Sequence, residues 1–152
     1  MRILLRLAVV LSLILPVPAA LSLPKHRLNK QEHQQLICLA KNVYYEARGE
    51  PLQGQLAVAQ VTLNRVQANF GDNVCEVVYA PKQFSWTHQK RGGPLEADSW
   101  DRALQVSYRA LYQKQKNRRL TKALYYHNTT VKPRWSKKKQ PLTKIGAHIF
   151  YA

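Results

Sequence analysis

From Lys30 to about Arg48 the apolar residues fall at Leu36, Ile37, Leu39, Ala40, Val43 and Tyr44, the spacing of one helical face. Asn29 stands three residues before Glu32, a variant of the capping box, and Gly49 supplies a stop. Pro51 suits the first turn of a second helix. Its apolar positions are Leu52, Leu56, Ala57, Ala59, Val61, Leu63 and Val66, and GQLAVAQVTLNRV carries so little charge that burial on most of its surface is predicted. Gly71-Asp72-Asn73 reads as a turn, followed by a short helix from about Val74 to Tyr79 that ends at Pro81. Residues 82–94, KQFSWTHQKRGGP, read as an exposed loop. A further helix is predicted from about Asp98 to Lys116, with Trp100, Ala103, Leu104, Val106, Leu111 and Tyr112 on its apolar side. A basic connector, KQKNRR, leads to ALYYHN at 123–128, and HIFY follows at 148–151; both read as strands. Between them VKPRWSKKKQPLTK reads as a basic loop holding Trp135, with Gly146 turning the chain back so that the strands can pair. The fold class is therefore α+β, mainly α, with a small C-terminal two-stranded β element.

The amino terminus follows a different rule. Arg2 and Arg6, a short apolar run, then prolines and small residues lay out a secretory signal peptide over residues 1–22, with cleavage after Ala19, Ala20 or Ser22. Leu7 to Leu15 is too short for a spanning helix, which needs about 20 apolar residues. An uncleaved anchor is the alternative. Residues 23–30 read as a polar linker and 31–152 as one domain, large enough to bury a single core. The 24 Lys+Arg against 8 Asp+Glu make a formal charge of +16, which becomes +14 when Arg2 and Arg6 are lost. Such a charge suits an anionic partner, namely nucleic acid, an anionic lipid surface or the cell wall, unless it serves solubility alone. Export disfavours nucleic acid. The Lys137–Lys139 run and Arg118-Arg119 are the expected wall contacts, or else a solvated surface. Export also makes a disulfide between Cys38 and Cys75 the expectation, against two buried free thiols. Two cysteines without a histidine cluster make no zinc site, HExxH is absent, and no metal or cofactor is expected.

NVYYEARGEP, residues 42–51, places two glutamates four apart in this acid-poor chain. Gly49 and Pro51 break the helical relation between them, because the residue before proline is pushed out of the helical region. Glu50 is then expected to start or cap the second helix, where the dipole favours an anion, with Arg48 as its nearest partner. Glu46 sits at the unfavourable end of the first helix beside Tyr44 and Tyr45. Both position and partial burial raise a carboxyl pKa, as a general acid requires. An exposed, solvated Glu46 is the competing reading.

CLAKNVYYEARGEPLQGQLAVAQVTLNRV, VCEVVYAPKQFSW and the terminal YYHNTTVKPRW…KIGAHIFYA resemble the SleB/CwlJ-type cell wall hydrolase family over roughly Leu36 to Ala152. The resemblance implies a fold similar to the lysozyme and lytic transglycosylase group, and cleavage of peptidoglycan glycan strands. It places the family's catalytic acid on Glu46 and suggests an envelope protein, periplasmic or secreted. With no peptidoglycan-binding repeat ahead of the domain, targeting is expected to rest on the domain itself.

Glycan cleavage by two carboxylates needs a second acid about 5–9.5 Å from the first. None of Glu32, Glu50, Asp72, Glu76, Glu96, Asp98 and Asp101 is an obvious partner. The expectation is thus a one-glutamate lytic transglycosylase forming 1,6-anhydro ends. Gln83, Phe84, Ser85, Trp86, Tyr126 and His127 are the candidate substrate contacts, with Arg48 and Glu50 structural beside the site. Phe84 and Tyr126 are equally readable as core and His127 as a structural histidine. Gln55 and Asn64 can serve core backbone groups, and Trp135 can be a sugar platform or a packed anchor. A non-catalytic peptidoglycan-binding module and an exported nuclease are the rival classes. A monomer with no stable membrane insertion after signal cleavage completes the expectation.

Overall fold

The computed structural model describes residues 27–89 and 93–152. The signal-peptide segment 1–22, and Gly92 in the 82–94 loop, lie outside the described residues. Among the described residues, four α-helices, α1 (Lys30–Ala47), α2 (Leu52–Gln67), α3 (Val74–Tyr79) and α4 (Ala97–Tyr112), precede three strands, β1 (Tyr125–Asn128), β2 (Pro141–Ile145) and β3 (His148–Tyr151). Short 3-10 turns occupy Ser85–His88, Arg118–Leu120 and Arg134–Lys138.

Helix α1 begins as its sequence dictates. Asn29 accepts from the Glu32 amide, and the Glu32 carboxylate accepts from the Asn29 amide, both at 2.9 Å. Together they satisfy two amides that a helix start leaves free. Cys38 on α1 is bonded to Cys75 on α3. The closed loop spans a sequence separation of 37, which contributes roughly 4 kcal/mol in the chain-entropy model.

Helix α2 lies between two cores. Leu56 and Ala59 join Cys38, Leu39, Val43, Tyr44, Val78, Val106 and neighbours among the helices. Ala57 and Val61 face the other way, against Leu120, Ala123 and Phe150. The low charge of α2 follows from this double burial. Three of its buried polar residues, Gln60, Asn64 and Arg65, hold the connector that leads from α4 to the sheet. Gln60 donates to the Asn117 carbonyl at 3.1 Å and accepts from its amide at 2.7 Å. Asn64 donates to the carbonyls of Leu120 and Ala123 at 2.7 and 2.8 Å, and Arg65 Nε donates to that of Leu124 at 2.8 Å. Where this mostly exposed connector meets the core at Leu120 and Ala123 it has no ladder to satisfy its backbone, so helix side chains do it instead. Asn64 thereby has the backbone-serving role expected of it, as does Gln55, which donates to the Glu50 carbonyl at 3.0 Å.

The sheet is antiparallel in the order β1-β3-β2, three strands where two were expected. The missed strand, Pro141–Ile145, is an edge strand with a proline, an exposed lysine and a register irregularity between Pro141 and Thr143. Those features protect an edge from aberrant pairing, and they also disguise it as loop. Register pairs Tyr126 with Phe150 and His127 with Ile149. Alternation then sends Tyr126, His148 and Phe150 toward the helices and Tyr125, His127 and Tyr151 to the outer face.

The 82–94 stretch departs from the open loop expected of it. Phe84 and Trp86 are only 4% and 8% exposed and belong to the helical core. The last helix also ends sooner than Lys116, at Tyr112.

Candidate active site

Glu46 lies in the last turn of α1, and its half-buried carboxyl faces β1. The Tyr126 hydroxyl donates to Glu46 Oε2 at 3.2 Å. Burial raises the Glu46 pKa above its ordinary 4.5; the Tyr126 hydrogen bond and the nearby Arg65 charge pull it back only in part. Burial, with the Glu46 charge added, pushes the Tyr126 phenol well above 10. The phenol therefore stays protonated and remains a donor to Glu46 across the working range.

Arg65 is a residue that sequence reasoning passed over inside LNRV. It is 7% exposed, donates through Nη1 to Gln83 Oε1 at 3.2 Å, and lies over the Phe84 ring at 5.5 Å. Burial lowers its pKa, while Tyr126, Tyr125 and Glu46 oppose that change. A signal was present: Arg65 stands four residues after Val61 on a helix otherwise nearly free of charge. A cation on a buried stripe calls for a nearby anion.

Gln83 and Ser85 are exposed and open toward solvent. Phe84 and Trp86 support the site from beneath and offer no open platform. Trp86 stacks on Tyr45 with centroids 4.7 Å apart, and its Nε1 donates to Asn42 Oδ1 at 3.4 Å. Asn42 in turn donates to Thr62 on α2 at 3.0 Å. Tyr79, 45% exposed, meets the edge of Trp86. His127 is on the far face of the sheet from Glu46, fixed by Tyr151 Oη at 2.9 Å and by contact with the Asn128 carbonyl at 2.8 Å. The structure thus brings Glu46, Arg65, Gln83 and Tyr126 together and sets His127 apart.

Glu50 has a different task from the expected one. The N-cap of α2 is Pro51, with no side-chain cap bond. Glu50 Oε2 instead accepts from the Ala147 amide at 2.9 Å, which ties the α1–α2 corner to the β2–β3 turn. Gly146 in that turn has φ +56, and a Cβ there would collide with the Glu50 carboxylate. Glycine is required on both counts. Glu50 Oε1 also lies 3.8 Å from His148 Nδ1. Burial holds the His148 pKa below its ordinary 6.5, so this contact is not an ion pair at neutral pH. Arg48 pairs with Glu96 at 3.0 Å, and not with Glu50.

A cavity of about 360 Å³ lined by Gln53, Leu56, Gln115, Lys116, Asn117 and Arg118 shares no residue with this cluster and offers no carboxyl.

The family profile described as Cell Wall Hydrolase matches residues 49–151. The chain belongs to the cell wall hydrolase family. A spore cortex-lytic enzyme of Oceanobacillus iheyensis is 36% identical over 116 residues, 74% of this chain and 39% of that protein. The spore cortex-lytic enzyme of Bacillus subtilis strain 168 is 33% identical over 124 residues, 74% of this chain and 35% of its own length. The chain thus spans less than half the length of these curated relatives. Among solved structures, the catalytic domain of the germination-specific lytic transglycosylase SleB from Bacillus anthracis aligns with TM-score 0.65 and 31% identity, covering 83% of this chain and 100% of that one. The catalytic domain of Bacillus cereus SleB aligns with TM-score 0.61 and 28% identity, over 90% of this chain and 100% of that one. The lysozyme-like, mainly helical architecture expected of this family is the one observed.

Proposed function

We propose that this cell wall hydrolase cleaves peptidoglycan glycan strands as a lytic transglycosylase, with Glu46 as the single acid and base. The observation that carries the reading is the Glu46 carboxyl itself, raised by burial and hydrogen-bonded to a phenol that stays protonated. The Tyr126 bond occupies Oε2, and the proton on the other oxygen is free to reach the glycosidic oxygen. As that proton transfers, the bond from C1 to the leaving oxygen breaks and positive character develops at C1. The Arg65 charge and the Tyr126 hydrogen bond stabilise the Glu46 carboxylate that results. The carboxylate then takes the proton from the substrate's own 6-hydroxyl as that oxygen closes on C1. A 1,6-anhydro ring forms, Glu46 is protonated again, and no water is consumed.

The other glutamates have structural partners. Glu32 closes the α1 capping box, Glu50 holds the Ala147 amide, Glu76 accepts from the Asp72 amide at 2.9 Å, and Glu96 pairs with Arg48. Asp72, Asp98 and Asp101 are exposed. A chemistry in which the substrate supplies its own nucleophile suits a site with one uncommitted carboxyl. Gln83 and Ser85 border the cleavage point, Tyr126 positions the acid, and the chain acts as a monomer at the wall, in the periplasm or secreted. Mass spectrometry of muropeptides released from sacculi tests the chemistry. Anhydro-muramoyl ends are expected; reducing ends would mean hydrolysis, and no release at all would leave a binding module.

A further inference from the structure

The outer face of the sheet is separate from the Glu46 site and has a character of its own. The 3-10 turn Arg134–Lys138 lies across it through Trp135, whose ring centroid is 5.8 Å from Tyr125, 5.6 Å from His127 and 5.4 Å from Tyr151. Trp135 is thus a packed anchor. It holds the basic segment on a rigid aromatic base in place of a free loop. Lys137 and Lys138 project from this turn into solvent, and Lys139 Nζ sits 3.6 Å over the Tyr125 ring. The chain from residue 102 to its end contains many Lys and Arg and no Asp or Glu, so no acid within this part of the sequence neutralises the patch. Lys139 and the Tyr125 ring are both half-buried, and the ring neutralises none of the ammonium's charge, which stays available to an incoming anion.

We propose that this face, Lys137 to Lys139 on the Trp135–Tyr125–Tyr151 base, is a second wall-contact surface that takes the carboxylate-bearing stem peptides of peptidoglycan. This rests on the reading of peptidoglycan as substrate. Charge complementarity selects the occupant: the sugar backbone of the glycan is rich in hydroxyls, whereas its stem peptides supply closely spaced carboxylates. A domain that grips the peptides with one face of its sheet and cuts glycan beside the other remains at the wall between cuts. Exposed ion pairs are individually weak and screened within about 8 Å at physiological salt, so the grip is multivalent and salt-sensitive.

The test uses the full chain carrying Glu46→Gln, so that capture on sacculi is read without cleavage and independently of the catalytic reading. Replacing Lys137, Lys138 and Lys139 together by Gln should weaken binding to intact sacculi about tenfold, the combined effect of three individually weak surface pairs. Replacement of all three by Arg should retain it, and thermal unfolding of each variant reports the fold. Sacculi stripped of stem peptides by an amidase should bind the parent no better than intact sacculi bind the Gln variant. Undiminished binding by the folded Gln variant, or equal binding to stripped and intact glycan, overturns the proposal. So does equally effective competition by duplex DNA or phosphatidylglycerol vesicles, which would make the patch a general anion binder.

Discussion

Glu46 and Glu50 are four residues apart at one corner of the fold, and both are partly shielded from solvent, yet their surroundings differ. Glu50 meets a backbone amide, that of Ala147, through Oε2, and this bond joins the α1–α2 corner to the β2–β3 turn. Glu46 meets a side-chain hydroxyl, that of Tyr126, and burial raises its pKa. Burial alone therefore does not set what a carboxyl does. Each has one carboxyl oxygen hydrogen-bonded, but a backbone donor ties Glu50 to the scaffold, whereas a side-chain phenol holds Glu46.

The most severe way to break this comparison is Glu46→Gln, which keeps the shape and removes the transferable proton. Glycan cleavage should fall by at least the roughly 10²–10⁴-fold that general acid catalysis supplies, measured as muropeptide release by folded protein. Glu50 should respond in stability. Glu50→Ala leaves the part-buried Ala147 amide without its acceptor and should cost about 1–3 kcal/mol in denaturant unfolding. Glu50→Gln retains an acceptor oxygen and should still cleave. A Glu50→Gln protein that unfolds like wild type but cannot cleave would make the pair a catalytic dyad.

Tyr126→Phe sharpens the contrast through pH. The Tyr126 bond lowers the Glu46 pKa, so its loss should raise that pKa and move the alkaline limb of the kcat/KM profile to higher pH. An unmoved limb would detach Tyr126 from the acid. The smallest effect concerns stability alone. A carboxyl whose folded pKa is raised contributes stability fully below its unfolded pKa, and that contribution is lost as pH rises through the folded value. Glu46→Gln should therefore raise Tm at neutral pH, and the gain should fade as pH drops toward 4.5 and below. A gain that persists in acid would contradict the buried-acid account.

Much of this was legible in the sequence, for identifiable reasons. The helical periods and the Asn29–Glu32 box are local signals, and α1 and α3 lie where they were expected. Glu46 could be singled out because its neighbours and its end of the helix both disfavour charge. What remained hidden depends on contacts distant in sequence. Arg65 gains meaning only from Leu124, Gln83 and Glu46. Glu50 reads as a helix cap until Ala147, far along the chain, supplies a donor. Strand β2 looks like loop because edge strands carry proline and lysine. His127 and Tyr126 are adjacent in sequence, and only the register of β1 on β3 decides which faces the acid.

The central claim is that Glu46 is held as a proton donor by its surroundings. The direct measurement is a titration of its side-chain carboxyl carbon by 13C NMR, assigned by loss of the signal in Glu46→Gln. The account predicts a midpoint above the ordinary 4.5 in the native chain, and a higher one in Tyr126→Phe. A midpoint at or below 4.5 would contradict it.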